Sequence, residues 1–332
     1  LFTQAEFRQK VELELEKVSM AYNHFRTQQL ADADDRVAFK EAKNELSLRL
    51  NTLTDMLDHQ LFSASGRPDF DEWKASHQPF HWIAEYYQII HGNGGFDVII
   101  GNPPYVEYTA IKEYNIPICK TFKCGNLYAN CSERSLLLKN SSGRFGFIVP
   151  ISISCSKRMK PIQDLLFNIG IHISNWSWRP SRLFDGSAGA NLSISIFITN
   201  NSRENFSATY RRWNTDARKY IFQNIEFVTL ENLNINGIVP KIGKCLELNI
   251  YQKICYLDRI SKHLSNLASA EHHIYYKRTG GLYWKIFTDF RPKLWLDGVQ
   301  TYSTKEAVIN AINEDDKFIA IAAAFDRTFV ND

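Results

Sequence analysis

The segment "GFDVIIGNPPYVEY", residues 95 to 108, sets an apolar run directly against Asn102, Pro103, Pro104 and Tyr105. These four residues offer hydrogen-bond acceptors and an aromatic ring, and no nucleophile. Tandem prolines fix φ and remove two backbone donors while leaving two carbonyls. The Asn102 side chain adds another acceptor and Tyr105 a flat face. Such a set suits an exocyclic amine carried on a planar ring. The Asn102 side-chain oxygen and the Pro103 carbonyl each accept one N–H, and Tyr105 stacks on the ring. The nitrogen is thereby drawn toward tetrahedral geometry, with its lone pair free to attack an electrophile. No covalent enzyme intermediate is required.

The elements that must position this corner are legible around it. Val98, Ile99 and Ile100 form a β-branched run bounded by "HGNGG" and by the prolines, which predicts a central strand covered on both faces. A sharp turn at the carboxyl end of such a strand is where open α/β sheets bind ligands. Upstream, "FHWIAEYYQII" reads as a short helix feeding the strand. Downstream, "NLYANCSERSLLLK" (126–139) reads as a helix ended by "NSSG", and "RFGFIVPISI" as a second buried strand. The order helix, strand, helix, strand favours an α/β layer with a parallel sheet. Two more strand candidates, "IHISNWSW" and "LSISIFIT", flank the loop "RPSRLFDGSAGAN" and are expected to pair antiparallel at the sheet's edge.

Residues 1 to 65 contain no Gly and no Pro, and apolar residues recur at 7, 11, 15, 18, 22 and 25, then at 39, 42, 46, 50, 53 and 57. That is helical spacing, interrupted by "ADADD", and it predicts a structural hairpin of two antiparallel helices closed by "SGRPDF". After Asn200 the chain becomes basic and aromatic, and the stretch from 230 to 270 lacks clear periodicity. A domain boundary is expected near 200 to 235.

Composition bounds the partners. The chain has 332 residues, 44% of them hydrophobic, which excludes a disordered protein. A net charge of +3 is too small to imply nucleic acid by itself, so any basic surface must be local. The six cysteines (119, 124, 131, 155, 245 and 255) form no CxxC pair and show no zinc-type spacing to His. They read as reduced thiols in a cytosolic chain, and no metal is expected. No apolar stretch approaches membrane length and no signal peptide is visible, so the expected location is cytoplasmic.

"FDVIIGNPPY" resembles motif IV of the amino-methyltransferases. Its surroundings narrow the likeness to adenine-specific DNA methyltransferases of the kind found in single-chain restriction-modification and phage-defence enzymes. "PFHWIAEYYQIIHGNGGFDVIIGNPPYVEY", "NLYANCSERSLLL", "GRFGFIVPISIS" and "RPSRLFDG" follow in the order and at roughly the spacing of that family, over about residues 79 to 235. Residues 1 to 66 resemble the family's helical insertion in character only. Cys131 stands where the family has a bulky aromatic.

The resemblance implies transfer of a methyl group from S-adenosylmethionine to the N6 atom of an adenine flipped out of duplex DNA. Asn102, Pro103, Pro104 and Tyr105 are then the catalytic set. Phe184 is either a second wall of the base pocket or simply core. It also implies a partial Rossmann-like sheet, the carboxyl half of the methyltransferase fold, with the helical hairpin at residues 1–66, the catalytic half at 67–200, and the start of a target-recognition region at 201–332. DNA contacts are expected beyond residue 200, at Arg211 and Arg212 in "YRRW" and at Lys277, Arg278 and Lys285 in "YYKRTGGLYWKIF". Either stretch reads equally as a solvated hairpin, the second turning at Gly280 and Gly281.

Family members bind the cofactor with a glycine-rich loop after the first strand and an acidic residue ending the second. Neither is found here, so the chain reads as the carboxyl portion of a longer enzyme, its cofactor-binding residues are not assignable, and the missing strands are expected to leave an uncovered sheet edge at the 96 to 100 strand that makes the isolated chain prone to association. Two rivals stand beside this reading: a catalytically incomplete DNA-binding remnant, and a methyltransferase acting on protein glutamine or on RNA. Cytosine C5 methylation is not expected, because there is no Pro-Cys nucleophile motif. A pocket keeping only the "NPPY" side lacks most contacts to the cofactor, and a misplacement of about 1 Å costs roughly a hundredfold in rate. The 332-residue chain alone is therefore expected neither to bind S-adenosylmethionine measurably nor to methylate DNA; micromolar binding in titration calorimetry would show a cofactor site within these residues.

Overall fold

A computed structural model describes residues 4–30, 36–111, 116, 118–182, 192–231, 233, 237–257, 259–266, 270–277, 287–303 and 306–325. They fall into two compact units, Leu1–Leu248 and Asn249–Asp332.

The first unit opens with the expected hairpin, α1 (Gln4–Leu30) and α2 (Arg36–Ser65). Its seam uses the residues whose spacing marked it: Val18 and Leu53 are fully buried, flanked by Val11, Leu15, Tyr22, Leu46, Leu50 and Leu57. Ala84 and Tyr87 join the same cluster, so the hairpin packs on the segment that feeds the first strand. A buried ion pair fastens that contact. Asp58, 1% exposed, lies 2.7 Å from His81 Nε2 and 2.8 Å from Lys74 Nζ. Burial alone would raise the Asp58 carboxyl, but the Lys74 and His81 groups bonded to it outweigh that and hold it below the usual carboxylate value.

Next come α3 (Phe70–His77), capped by the Asp69 carboxylate accepting from the Glu72 N–H at 2.7 Å, and α4 (Trp82–Glu85). The single helix expected over 80–90 is broken. Tyr86 leaves the helical region, and a π turn, Gln88–Gly92, follows. The strand β1 (Phe96–Gly101) then forms, and α5 (Leu127–Leu138) connects it to the parallel strand β2 (Lys139–Pro150). "NSSG" does not end α5 in a turn. It is already β2, bonded to β1 by Asn140 Nδ2 donating to Asp97 Oδ1 at 2.6 Å.

After α6 (Ser152–Cys155) and α7 (Lys160–Phe167), β3 (Ile171–Trp176) and β4 (Ile194–Thr199) pair antiparallel from Ile171↔Thr199 to Trp176↔Ile194, as expected. They do not form the sheet's edge. The short strands β5 (Phe206–Ser207) and β6 (Val228–Thr229) extend the sheet beyond them, and its order is β1-β2-β4-β3-β5-β6. The sheet is mixed: β1–β2 and β3–β5 are parallel and the other pairs antiparallel. Because it continues past residue 200, the first unit runs to Leu248, later than the boundary expected near 200 to 235.

One sheet face meets α5, α6 and α7 over a core of Tyr128, Phe145, Val149, Ile153, Met159, Ile162 and Phe197, with Cys131 packed at its margin. The other face is covered by Trp213, Ile221 and Ile225 against Trp176 and Ile194. That cover stops short of β1. The expectation of a strand covered on both faces is overturned, since Val98 is 61% and Ile100 77% exposed and only Ile99 lies on the core; the uncovered edge expected at 96 to 100 is present, with β1 at the end of the sheet. A short apolar run records that a strand is apolar, not which of its sides a neighbour covers.

The second unit holds α8's carboxyl end (the helix is Cys245–Cys255) and a four-stranded antiparallel sheet. Its strands are β7 (Leu264–Ser265), β8 (His272–Lys277), β9 (Phe287–Thr288) and β12 (Glu306–Ala311), in the order β7-β12-β8-β9. β10 (Lys293–Leu296) and β11 (Val299–Tyr302) form a separate hairpin, and α9 (Glu314–Phe325) closes the unit. β8 and β9 are the two arms of the hairpin read in 275–287; its connection, with Gly280 and Gly281, lies outside the described residues. No helix among the described residues is long and apolar enough to cross a membrane.

Gly95 sets the entry to β1. Its φ is +127°, and a Cβ there would lie 2.5 to 2.6 Å from the backbone of residues 138 to 140, where α5 ends and β2 begins. Gly94, at φ +70°, has open space around it. Gly94→Ala is expected to cost about 1 to 2 kcal/mol of conformational strain. Gly95→Ala should cost more than Gly94→Ala, because clash with fixed backbone adds to the strain. Urea midpoints of the two variants check the order.

Candidate functional site

The last β1–β2 pair is Gly101↔Phe147, and the chain then turns out of the sheet through Asn102, Pro103 and Pro104. Pro103 is buried and Pro104 exposed. The Asn102 amide is exposed and has no hydrogen-bond partner among the described residues. Tyr105 differs from the exposed plate read in the sequence. Its ring is half-buried against the core, and its hydroxyl donates to the Ile148 carbonyl at 2.8 Å. Burial pushes the phenol up to about 12, so it stays protonated across the physiological range.

Beyond Tyr105 the chain is fastened to the amino end of α5. The Leu127 N–H donates to the Val106 carbonyl and the Tyr108 N–H to the Gly125 carbonyl, both at 2.9 Å. Between them the Glu107 carboxylate accepts from Arg158 twice, at 2.7 and 3.0 Å, and from Asn126 Nδ2 at 3.1 Å. The Arg158 guanidinium holds the Glu107 carboxyl below its ordinary range. Asn126 also caps α5, its Oδ1 accepting from the Tyr128 N–H at 3.2 Å. The buried Tyr128 hydroxyl lies 2.9 Å from Ser152 Oγ on α6. One carboxylate thus ties the exit of the corner to the segments that follow β1 and β2.

Beside it, at the carboxyl ends of β2 and β3, runs a buried polar chain. Ser154 Oγ lies 3.2 Å from Ser195 Oγ, which donates to Asn175 Oδ1 at 2.6 Å. Past β3 the Arg179 guanidinium sits 4.0 Å from the centre of the Trp178 ring. Phe184 lies outside the described residues.

The structure separates the DNA-contact candidates. Arg211 serves the fold: its guanidinium donates to the carbonyls of Ile221 and Gln223 at 3.2 Å and to that of Asn224, and stands 5.7 Å from the Trp176 ring centre. Arg212 is exposed beside the buried Trp213. Lys277 is the last residue of β8, opposite Glu306, while Arg278 and Lys285 lie outside the described residues. Among the described residues no group of three or more His, Cys, Asp or Glu side chains is placed to hold a metal ion.

Sequence reasoning missed Glu107, Asn126 and Arg158. Their signal was present: a carboxylate two residues after the tyrosine, an Asn at a helix start, and the basic "SKRMK" just after β2.

Residues 9–170, from the helical hairpin through the corner to the end of α7, match the family model described as Eco57I restriction-modification methylase. A Methanocaldococcus jannaschii protein, provisionally named a type II restriction enzyme and methyltransferase (RM.MjaORFECS2P), is 32% identical over 105 residues. The match covers 32% of this chain and 9% of that protein, so the chain spans only a small part of its curated relative's length. Among solved structures, a nuclease-deletion mutant of the Type ISP restriction-modification enzyme LlaGI in complex with a DNA substrate mimic is similar over 70% of this chain and 25% of that one, at 14% identity and a TM-score of 0.37. The DrdV–DNA complex is similar over 42% and 18%, at 14% identity and a TM-score of 0.29.

The Glu107–Arg158 pair is about half exposed, so its own worth is about 0.2 to 1 kcal/mol. Because the folded-state carboxyl is depressed, that stabilisation is present above the ordinary Glu value and lost as pH falls through the lower, folded one. Glu107→Gln should therefore lower the unfolding midpoint slightly at neutral pH, and the gap from the unmodified protein should close in acid. Denaturation curves across that pH range check it; a gap that widens in acid would refute the latch.

Proposed function

We propose that this chain, whose residues 9–170 match the restriction-modification methylase family model, carries the base-holding side of an enzyme that methylates the N6 amino group of adenine in duplex DNA. S-adenosylmethionine is the proposed methyl donor. The observation that carries the reading is the corner itself. An exposed Asn102 amide follows a strand end, beside two prolines whose backbone has no N–H to donate and a tyrosine whose hydroxyl proton is already given to the Ile148 carbonyl. Acceptors predominate there, which is the chemistry an exocyclic amine requires.

On this reading the flipped adenine lies against the Tyr105 ring, a contact worth about 1 to 3 kcal/mol per base. Its amine donates one N–H to Asn102 Oδ1 and the other to the Pro103 carbonyl. Asn102 and the Pro103 carbonyl would thereby aim the nitrogen lone pair; the donor, when bound, would supply a sulfonium methyl group whose sulfur leaves with the bonding electron pair, and the surplus proton on the nitrogen would pass to water. The Glu107–Arg158–Asn126 latch holds the exit of the corner so that these acceptors keep their places.

The fit to the cofactor is one-sided. Beside the open edge of β1 no further strand stands among the described residues, and so none of them is followed there by a turn that could hold the cofactor's ribose. That edge favours a second reading for the chain by itself, a DNA-binding element that is catalytically incomplete until further strands are supplied.

Asn102→Ala in the intact enzyme separates the readings. Transfer of labelled methyl groups from S-adenosylmethionine to duplex DNA should fall by orders of magnitude, with an unchanged thermal unfolding midpoint, since the side chain is exposed and makes no hydrogen bond among the described residues. Near-normal turnover in that variant would overturn the assigned role. Parallel assays with RNA and protein acceptors decide against, or for, the glutamine and RNA alternatives.

A further inference from the structure

Phe290, Arg291, Lys293 and Tyr302 line a cavity of about 700 Å³ in the second unit. It is built on the β10–β11 hairpin, a two-stranded sheet of its own. Asp297 (φ 50°) and Gly298 (φ 81°) both occupy the left-handed region at its turn, the mirror-image turn whose twist suits a tight hairpin. The register pairs Lys293 with Tyr302 and Trp295 with Gln300. Side chains alternate along each strand, so these four share one face. Arg291 continues that face at the base of the hairpin. Its guanidinium stands 5.3 Å from the centre of the Tyr302 ring, and the Lys293 ammonium 5.6 Å from it. Arg291 Nε donates to the Ser303 carbonyl at 3.3 Å, which fixes where the charge is presented.

Charge and exposure are arranged in one direction. Both cations are exposed, and among the described residues neither is paired with a carboxylate. Asp289, the nearest acid in sequence, lies 3.6 Å from Lys317 Nζ, and Asp297 is at the turn, the opposite end of the hairpin from Arg291. Trp295 is 70% exposed and Phe290 63%. A two-stranded ribbon gains nothing in stability from large aromatics left in water beside two cations that have no carboxylate partner among the described residues. The combination complements a polyanion that carries planar bases, and a two-stranded ribbon has the width that the major groove admits.

We propose that the β10–β11 hairpin is a DNA-reading ribbon, its partner duplex DNA, which rests on the methyltransferase reading above. Arg291 and Lys293 bind the phosphate backbone at the base of the ribbon. Trp295 and Gln300, nearer the tip, reach into the groove, where a Gln side chain pairs naturally with the N6 and N7 atoms of adenine.

The test is binding of the 332-residue chain to a fluorescein-labelled duplex, measured by anisotropy at several salt concentrations. Replacing Arg291 and Lys293 together by Ala should weaken binding at least about tenfold at low salt and reduce the slope of log affinity against log salt by about 2, one for each lost phosphate contact. Trp295→Ala should weaken binding with the slope unchanged. Gln300→Ala should leave the slope unchanged and flatten the preference among competitor duplexes of different sequence. If the double variant does not fold, Lys293→Gln, at an exposed position, should still lower the slope by about 1. Unaltered affinity and slope in these variants, when the unmodified chain binds DNA, overturn the hairpin's role and leave the methyltransferase reading standing. Failure of the unmodified chain to bind any duplex overturns DNA as the partner of both.

Discussion

The chain leaves its sheet at a place where it can no longer donate hydrogen bonds, and much of the first unit answers that constraint. Two successive prolines after β1 cannot be secured by their own backbone N–H groups. The corner is pinned from outside instead: Tyr105 reaches back to the carbonyl of Ile148 on β2, and Glu107 is clasped by Arg158 and Asn126. β2, α5 and the turn before α7 thus become the frame of a loop they do not contain. A fixed loop with unspent acceptors is the outcome, which is what the proposed recognition of an amine requires.

The same logic extends upstream. β1 has a partner on one side only, and its approach is steadied by contacts that do not belong to the sheet. The helical hairpin packs on Ala84 and Tyr87, and the buried Asp58 binds both Lys74 and His81 in the segment leading to the strand. Removing one member of such a group leaves a buried charge without its counterpart, which costs more than the pair itself is worth. The hairpin therefore acts as a brace for the strand that carries the corner.

Much of this was legible in the sequence, and unevenly so. The hairpin could be read because Val18 and Leu53 lie on stripes that recur every three or four residues, a local signal. The pairing of β3 with β4 was legible from two apolar runs around a loop. What was hidden depended on distant partners. Nothing in Val98-Ile99-Ile100 tells which face of the strand is covered, because that depends on which elements stack against it; the open edge was legible only from the strands the chain lacks. "NSSG" has the composition of a turn, yet Asn140 finds Asp97 across the sheet and the segment becomes strand. Glu107 and Arg158 are 51 residues apart, and Arg211, which reads as a free cation, is drawn into a ring of carbonyls at 221 to 224.

The corner's titration behaviour carries the chemistry one step further. Asn102, Pro103 and Pro104 do not ionise. The Tyr105 phenol is raised to about 12 by burial, and the Glu107 carboxyl is held low by Arg158. The charge state of the corner is therefore constant through the neutral range. A general base working near neutrality needs a group that titrates there, and none of these does. If the corner activates an amine, it does so through hydrogen-bond geometry and not by removing a proton before attack. The rate then depends on where the acceptors stand, and that places the demand on the braces that hold them: Tyr105 on Ile148, Glu107 on Arg158, and Asp58 on the segment that delivers the strand.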